Sequence, residues 1–376
     1  MKRSGLPVLM VMLLILLRID RVPACPSCNI HNYLASSVRS ATHIFWGEVL
    51  RQIDDKTAEA EVLKVLVGNH KVGSVVKIEM YGAKEYVGKR FIFSNPCSHP
   101  PTFPVLPVEL EDEVLLLSQS QGSDKAHFLG DRLPPIKKMP EAIKRVQGIS
   151  RETQQSGMDY IAKHHNEAVA PLIAELEVRM QEVFSTHGAL FGIYRLRNLS
   201  ESLLLKPSDA GQKFVLKQIG ALLARNTGDV NWIAIPHQPS SQGVFLKDLL
   251  CHSRKHQILW ESVDKLLQEA YPRLSGVVFA ETTYALLIAD EQSSDAVFAK
   301  ISDSNREMFA VGLFLVANER SSEWQHERAD ALWEKALSLA NRKEMKEAIA
   351  RRIESAQRFT KRPNRSVNSN ALNSPK

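Results

Sequence analysis

Ile44-Phe45-Trp46-Gly47-Glu48-Val49, followed by Ala60-Glu61-Val62-Leu63-Lys64-Val65-Leu66-Val67, is the stretch on which the fold of this 376-residue chain turns. Both runs are short, rich in β-branched and aromatic residues and bounded by turn formers, so they predict strands rather than helices. Val75-Val76-Lys77-Ile78, Arg90-Phe91-Ile92-Phe93 and residues 114–117 extend the pattern, with His127-Phe128-Leu129 as a further candidate. Gly68-Asn69 and Gly73 punctuate the connections. Five or six such strands predict a small closed sheet, a barrel or a sandwich. One helix over residues 31–40 is expected before it. Pro96, Pro100, Pro101, Pro104 and Pro107 carry no backbone N–H for a regular ladder, so this stretch is expected to be a long surface loop.

Near residue 134 the apolar period changes from two to that of a helix. Leu259, Val263, Leu266, Leu267 and Ala270 fall on one helical face, as do Ala329, Leu332, Trp333, Ala336, Leu337 and Ala340. Ser304 with Glu307 and Ser322 with Gln325 have the spacing of capping boxes. Breaks at Lys206-Pro207-Ser208, Tyr271-Pro272 and residues 290–294 separate successive helices. The expected architecture is therefore mixed, with two domains: an all-β barrel over residues 25–133, then an all-α domain over 134–357. The second is either a HEAT-like stack of helical pairs or an irregular bundle, since no residue signature repeats at a fixed period. The long connection over 226–243 contains Trp232, Ile235, Pro236 and Pro239; Trp232 and Ile235 are binding candidates, although an aromatic packed within its own loop explains them as well.

The first 24 residues predict export. Lys2 and Arg3 form a positive start, residues 6–17 an apolar run, and Val22-Pro23-Ala24 a cleavage site before Cys25. A bilayer-spanning helix needs roughly 20 apolar residues, so no transmembrane segment is expected after signal removal. A lipid anchor on Cys25 is the alternative. The expected location is periplasmic or extracellular, with association to the envelope if Cys25 is lipidated. The formal charge of +6 falls to +3 when residues 1–24 are removed. Arg358, Lys361, Arg362, Arg365 and Lys376 in the acid-free tail 358–376 leave the body between near −2. That body has no basic footprint for nucleic acid, and the tail has the composition of a disordered segment.

Cys25-Pro26-Ser27-Cys28, residues 40–49 and Val62-Leu63-Lys64-Val65-Leu66-Val67-Gly68 together resemble the netrin-like domain of tissue inhibitors of metalloproteinases and of related bacterial exported proteins. The whole chain also resembles exported planctomycete proteins, in which a cysteine pair after the signal leads into such a domain and then a helical region. This resemblance implies an OB-type five-stranded barrel. It also implies, as an alternative, an inhibitory role in which the amine and carbonyl of Cys25 chelate a protease's catalytic zinc. Val67 stands where the family often has lysine.

The four cysteines are Cys25, Cys28, Cys97 and Cys251. In an oxidising compartment a bridge from Cys25 or Cys28 to Cys97 matches the way netrin-like domains anchor their first cysteines. Closing some 70 residues would contribute about 4 kcal/mol in the chain-entropy picture. A Cys25–Cys28 loop and a Cys-Pro-Ser-Cys dithiol remain open. So does a zinc site drawn from Cys25, Cys28, His31, Cys97 and His99. His252 and His256 share a helix face without the glutamate of a zinc-protease helix, and they and His164-His165 are expected on solvated faces. No nucleophile elbow, phosphate cradle or paired-carboxylate motif occurs. The sequence therefore predicts a non-enzymatic exported protein without a cofactor that acts on a protein partner.

Overall fold

The computed structural model describes residues 38–39, 41–54, 57–80, 83–95, 105–119, 133–185, 190–225, 239–290, 305–322 and 325–360. Residues 1–37, the strand candidate His127-Phe128-Leu129 and the tail beyond 360 lie outside them; of the helix expected over 31–40, Val38 and Arg39 are helical. The chain divides into two compact units, Met1–Ile161 and Ala162–Lys376.

Among the described residues five strands build the first unit: β1 (His43–Gln52), β2 (Thr57–Val67), β3 (Val75–Glu79), β4 (Arg90–Asn95) and β5 (Val105–Pro107). They form one antiparallel sheet in the order β3-β2-β1-β4-β5. β1 lies at the centre because it is apolar on both faces: adjacent Ile44 and Phe45 point to opposite sides and both are buried. Phe45 sits opposite Val65 on β2 and Phe93 on β4. The Phe45 and Phe93 rings stack at 5.4 Å, within a core that includes Val49, Ala60, Val62 and Ile78. The outer strand β3 shows the opposite pattern, with Val75 and Lys77 exposed.

Two expectations are corrected here. Val105–Pro107, within the proline stretch read as loop, is a short strand paired with β4. It is an outer strand, and a proline at its end costs no central ladder bond. Residues 114–117 are not a strand but part of helix α1 (Glu111–Ser118). Glu111, Asp112 and Glu113 place negative charge at the helix start and the three leucines favour helix, so a short apolar run without period was misassigned.

Helices α2 (Met139–Val146) and α3 (Arg151–Lys163) follow. Buried Glu113 joins α1 to the start of α3: its carboxylate accepts from the backbone N–H of Ile149 at 2.8 Å and of Ser150 at 2.7 Å. Ser150 in turn caps α3, accepting from the Thr153 N–H at 3.1 Å. Burial raises the Glu113 pKa, while these N–H donors oppose the rise.

The described residues of the helical unit form α4 (His165–Ser185), α5 (Leu190–Leu203), α6 (Asp209–Leu223), α7 (Ser241–Arg254), α8 (Gln257–Ala270), α9 (Gly276–Ala289), α10 (Arg306–Ser322), α11 (His326–Leu339) and α12 (Lys343–Thr360). Packing runs in two rows. In one, α5 touches α7, α7 touches α9 and α9 touches α10; in the other, α4 touches α6 and α6 touches α8. The rows face each other through α4 with α5 and through α7 with α6 and α8. The Ser322–Gln325 capping box does not form: Ser322 ends α10, and Gln325 stands at the N-cap of α11 without a side-chain cap bond. Among the described residues no helix is long and apolar enough to cross a membrane.

Glu113→Ala removes the acceptor of two buried N–H groups. It is expected to destabilise the first unit by about 3 kcal/mol, whereas Glu113→Gln, which keeps one oxygen, costs less. Urea unfolding of the two variants beside the parent chain measures the difference.

Candidate functional site

Every cysteine-cluster and loop candidate from the sequence, namely Cys25, Cys28, His31, Cys97, His99, Trp232 and Ile235, lies outside the described residues. The chemistry-bearing groups that the structure does bring together lie around α7 in the helical unit.

α7 begins at a serine cap. Ser240 Oγ accepts from the Gly243 N–H at 3.1 Å. Glu281 of α9 grips the same residue, accepting from Ser240 N at 2.6 Å and Ser240 Oγ at 2.9 Å. Arg225, just after α6, donates to Oε2 of this buried carboxylate, the oxygen that also accepts from Ser240 Oγ. Position 243 must be glycine for this approach, since a Cβ there would stand 2.6 Å from Glu281 Cδ. One carboxylate thus holds the two chain ends that flank residues 226–238.

Further along α7, Lys247 and Asp248 are buried side by side at 3.5 Å. Lys247 Nζ also reaches Glu319 Oε1 on α10 at 3.1 Å, and Tyr284 of α9 donates to Glu319 Oε2. Burial raises the Asp248 pKa against the pull of Lys247 and Arg197, and burial pushes the Tyr284 phenol well above its usual range. Perturbed groups of this kind mark active sites or structural ion-pair networks. Here the named groups bond to one another across α7, α9 and α10, with side chains at most 11% exposed, so the arrangement suits a structural network better than a substrate site.

One turn on, His252 is buried with both ring nitrogens unpartnered, which corrects the expectation of a solvated face. Burial lowers its pKa to about 3; Glu201 opposes that shift, and Lys255, Arg197 and Lys247 add to it. His165 is also buried, its Nε2 3.2 Å from the Leu203 carbonyl oxygen. His256 stands at the N-cap of α8, and Cys251 is half-buried on α7. The expected shared helix face of His252 and His256 does not form, because α7 ends at Arg254 and His256 opens α8. The partnerships of Glu281 and Glu319 were hidden in the sequence, since they join residues 41 and 72 positions apart.

His252 generates a pH dependence of defined sign. Unfolded, it takes up a proton near 6.5; folded, only near 3. Between those values the unfolded state holds more protons, so stability is retained above pH 6.5 and lost as pH falls toward 3. The expected slope approaches about 1.4 kcal/mol per pH unit. Urea unfolding of the parent chain and of His252→Leu across this range should give a stability difference that is flat above 6.5 and moves against the parent below it. A difference that stays flat throughout would show that His252 is accessible and titrates normally.

No protein-family model matches the chain, and no curated protein and no solved structure is significantly similar to it.

Proposed function

We propose that this is an exported, non-catalytic binding or scaffolding protein, in which an OB-like barrel of the netrin-like kind precedes a HEAT-like stack of helical pairs. The observation that carries the reading is the packing of the helical unit. Contacts of α4 with α6, α6 with α8, α5 with α7 and α7 with α9, alternate helices in two facing rows, are the pattern of stacked pairs, an architecture whose extended surfaces serve macromolecular binding.

The sheet supports the barrel. In the order β3-β2-β1-β4-β5 the first strand pairs with both the second and the fourth, and a single pairing of β3 with β5 would close a five-stranded barrel. A helical turn at Ala83–Tyr86 lies between β3 and β4. The buried charges of the helical unit are engaged in its packing, which favours a binding surface over a reaction centre. Export and the state of the cysteines rest on the apolar run at residues 6–17 and on Ala24-Cys25. In this reading Cys25 or Cys28 bridges to Cys97 and ties the N-terminus to the barrel.

Intact mass of the natively exported protein, with and without reduction and alkylation, tests this. The expected species starts at Cys25, carries no lipid and holds one disulfide to Cys97; reducing it lowers stability without abolishing binding. Free Cys25 and Cys28, a lipid adduct, or zinc retained on these cysteines under native conditions would contradict the reading.

A further inference from the structure

We propose that His43 and His70 form a binding site for a divalent transition metal of the zinc class, at the end of the sheet where β1 begins and β2 finishes. The inference stands apart from the binding role of the helical unit and uses residues that the cysteine reading did not include.

The backbone creates the juxtaposition. Ile44 pairs with Val67, so the first residue of β1 lies beside the last of β2. Gly68 then turns the chain at φ 95°, a conformation that side-chain-bearing residues rarely adopt. A Cβ at this position would come 2.3 Å from His43 Nδ1 and 2.8 Å from the Thr42 carbonyl oxygen. Only glycine therefore admits the His43 ring against the turn. Two residues later the chain delivers His70, whose ring centroid lies 4.8 Å from that of His43, the planes tilted by 51°.

That separation fits two imidazoles on one ion. With zinc–nitrogen bonds of roughly 2.0–2.1 Å in near-tetrahedral geometry, the two ring centroids stand about 5 Å apart. His43 Nδ1 is buried against the turn without a hydrogen-bond partner, so in this proposal coordination runs through Nε2. Among the described residues no group of three histidine, cysteine or carboxylate ligands occurs, so the proposed site is a two-histidine one whose remaining positions are left to water. A purely aromatic role, with His70 packed edge-on to Phe45 at 5.0 Å, is the alternative that the experiment must exclude.

The full-length exported protein, stripped of metal, is titrated with zinc by calorimetry at neutral pH. The account expects one zinc per chain. It expects about tenfold or greater weakening in both His43→Gln and His70→Gln, and unchanged binding in His256→Gln in the other unit. His70 lies outside the strands, so its variant keeps the sheet; far-ultraviolet circular dichroism confirms this. Gly68→Ala, which retains both histidines but displaces the His43 ring, should weaken binding as well. Absence of stoichiometric zinc, or binding indifferent to both histidine substitutions, overturns the proposal. So does a cobalt-loaded protein whose thiolate charge-transfer band persists in both histidine variants, because the metal would then sit on the cysteines.

Discussion

The helical unit depends on how α7 is held. α7 touches helices of both rows, and two glutamates secure it: buried Glu281 at its first turn and largely buried Glu319 midway along. A carboxylate at a helix N-terminus meets unsatisfied N–H groups and the positive end of the helix dipole, so Glu281 gains from the geometry of Ser240 as well as from Arg225. Glu113 does the same in the first unit, accepting from Ile149 and Ser150 ahead of α3. In both units a helix that supplies a glutamate determines where a later or earlier helix starts.

Burying these charges is costly, and ion pairs of this kind rarely add net stability over an apolar core of equal volume. Their value lies in the choice of one arrangement. α9 is buried continuously from Val278 to Leu287, so it has no polar face to set its rotation. Polar contacts from three residues within about one turn set it instead. Glu281 holds Ser240, Thr283 Oγ1 lies 2.7 Å from Tyr271 Oη, and Tyr284 donates to Glu319. Rotating α9 would leave each of these groups buried and unpaired, at a cost of about 1–3 kcal/mol apiece. Neutral His252 nearby adds no compensating charge, which makes the same region sensitive to acid.

Much of the architecture was legible in the chain. Alternation and β-branching disclosed β1 to β4, and helical spacing disclosed α8 and α11, because those patterns are local. Where the local pattern was ambiguous the reading failed. Residues 114–117 lacked a period and proved helical, and Val105–Pro107 was masked by its prolines. Ser322 and Gln325 had capping-box spacing, but α10 extends through Ser322. The polar cluster around α7 left almost no trace, since its partners are far apart in sequence and only packing unites them. Likewise Gly68 looked like an ordinary turn residue; its close approach to His43 appears only in three dimensions.

A helix held in place by a buried charge should lose order locally when that charge is removed. Native-state hydrogen exchange on Glu281→Ala examines this most directly. The account predicts that protection falls along α7 and at the ends facing it from α6 and α9, while the amides of β1, β2 and β4 exchange as in the parent chain. Unchanged protection of α7 would contradict the account, because Glu281 would then not be what holds the helix in place.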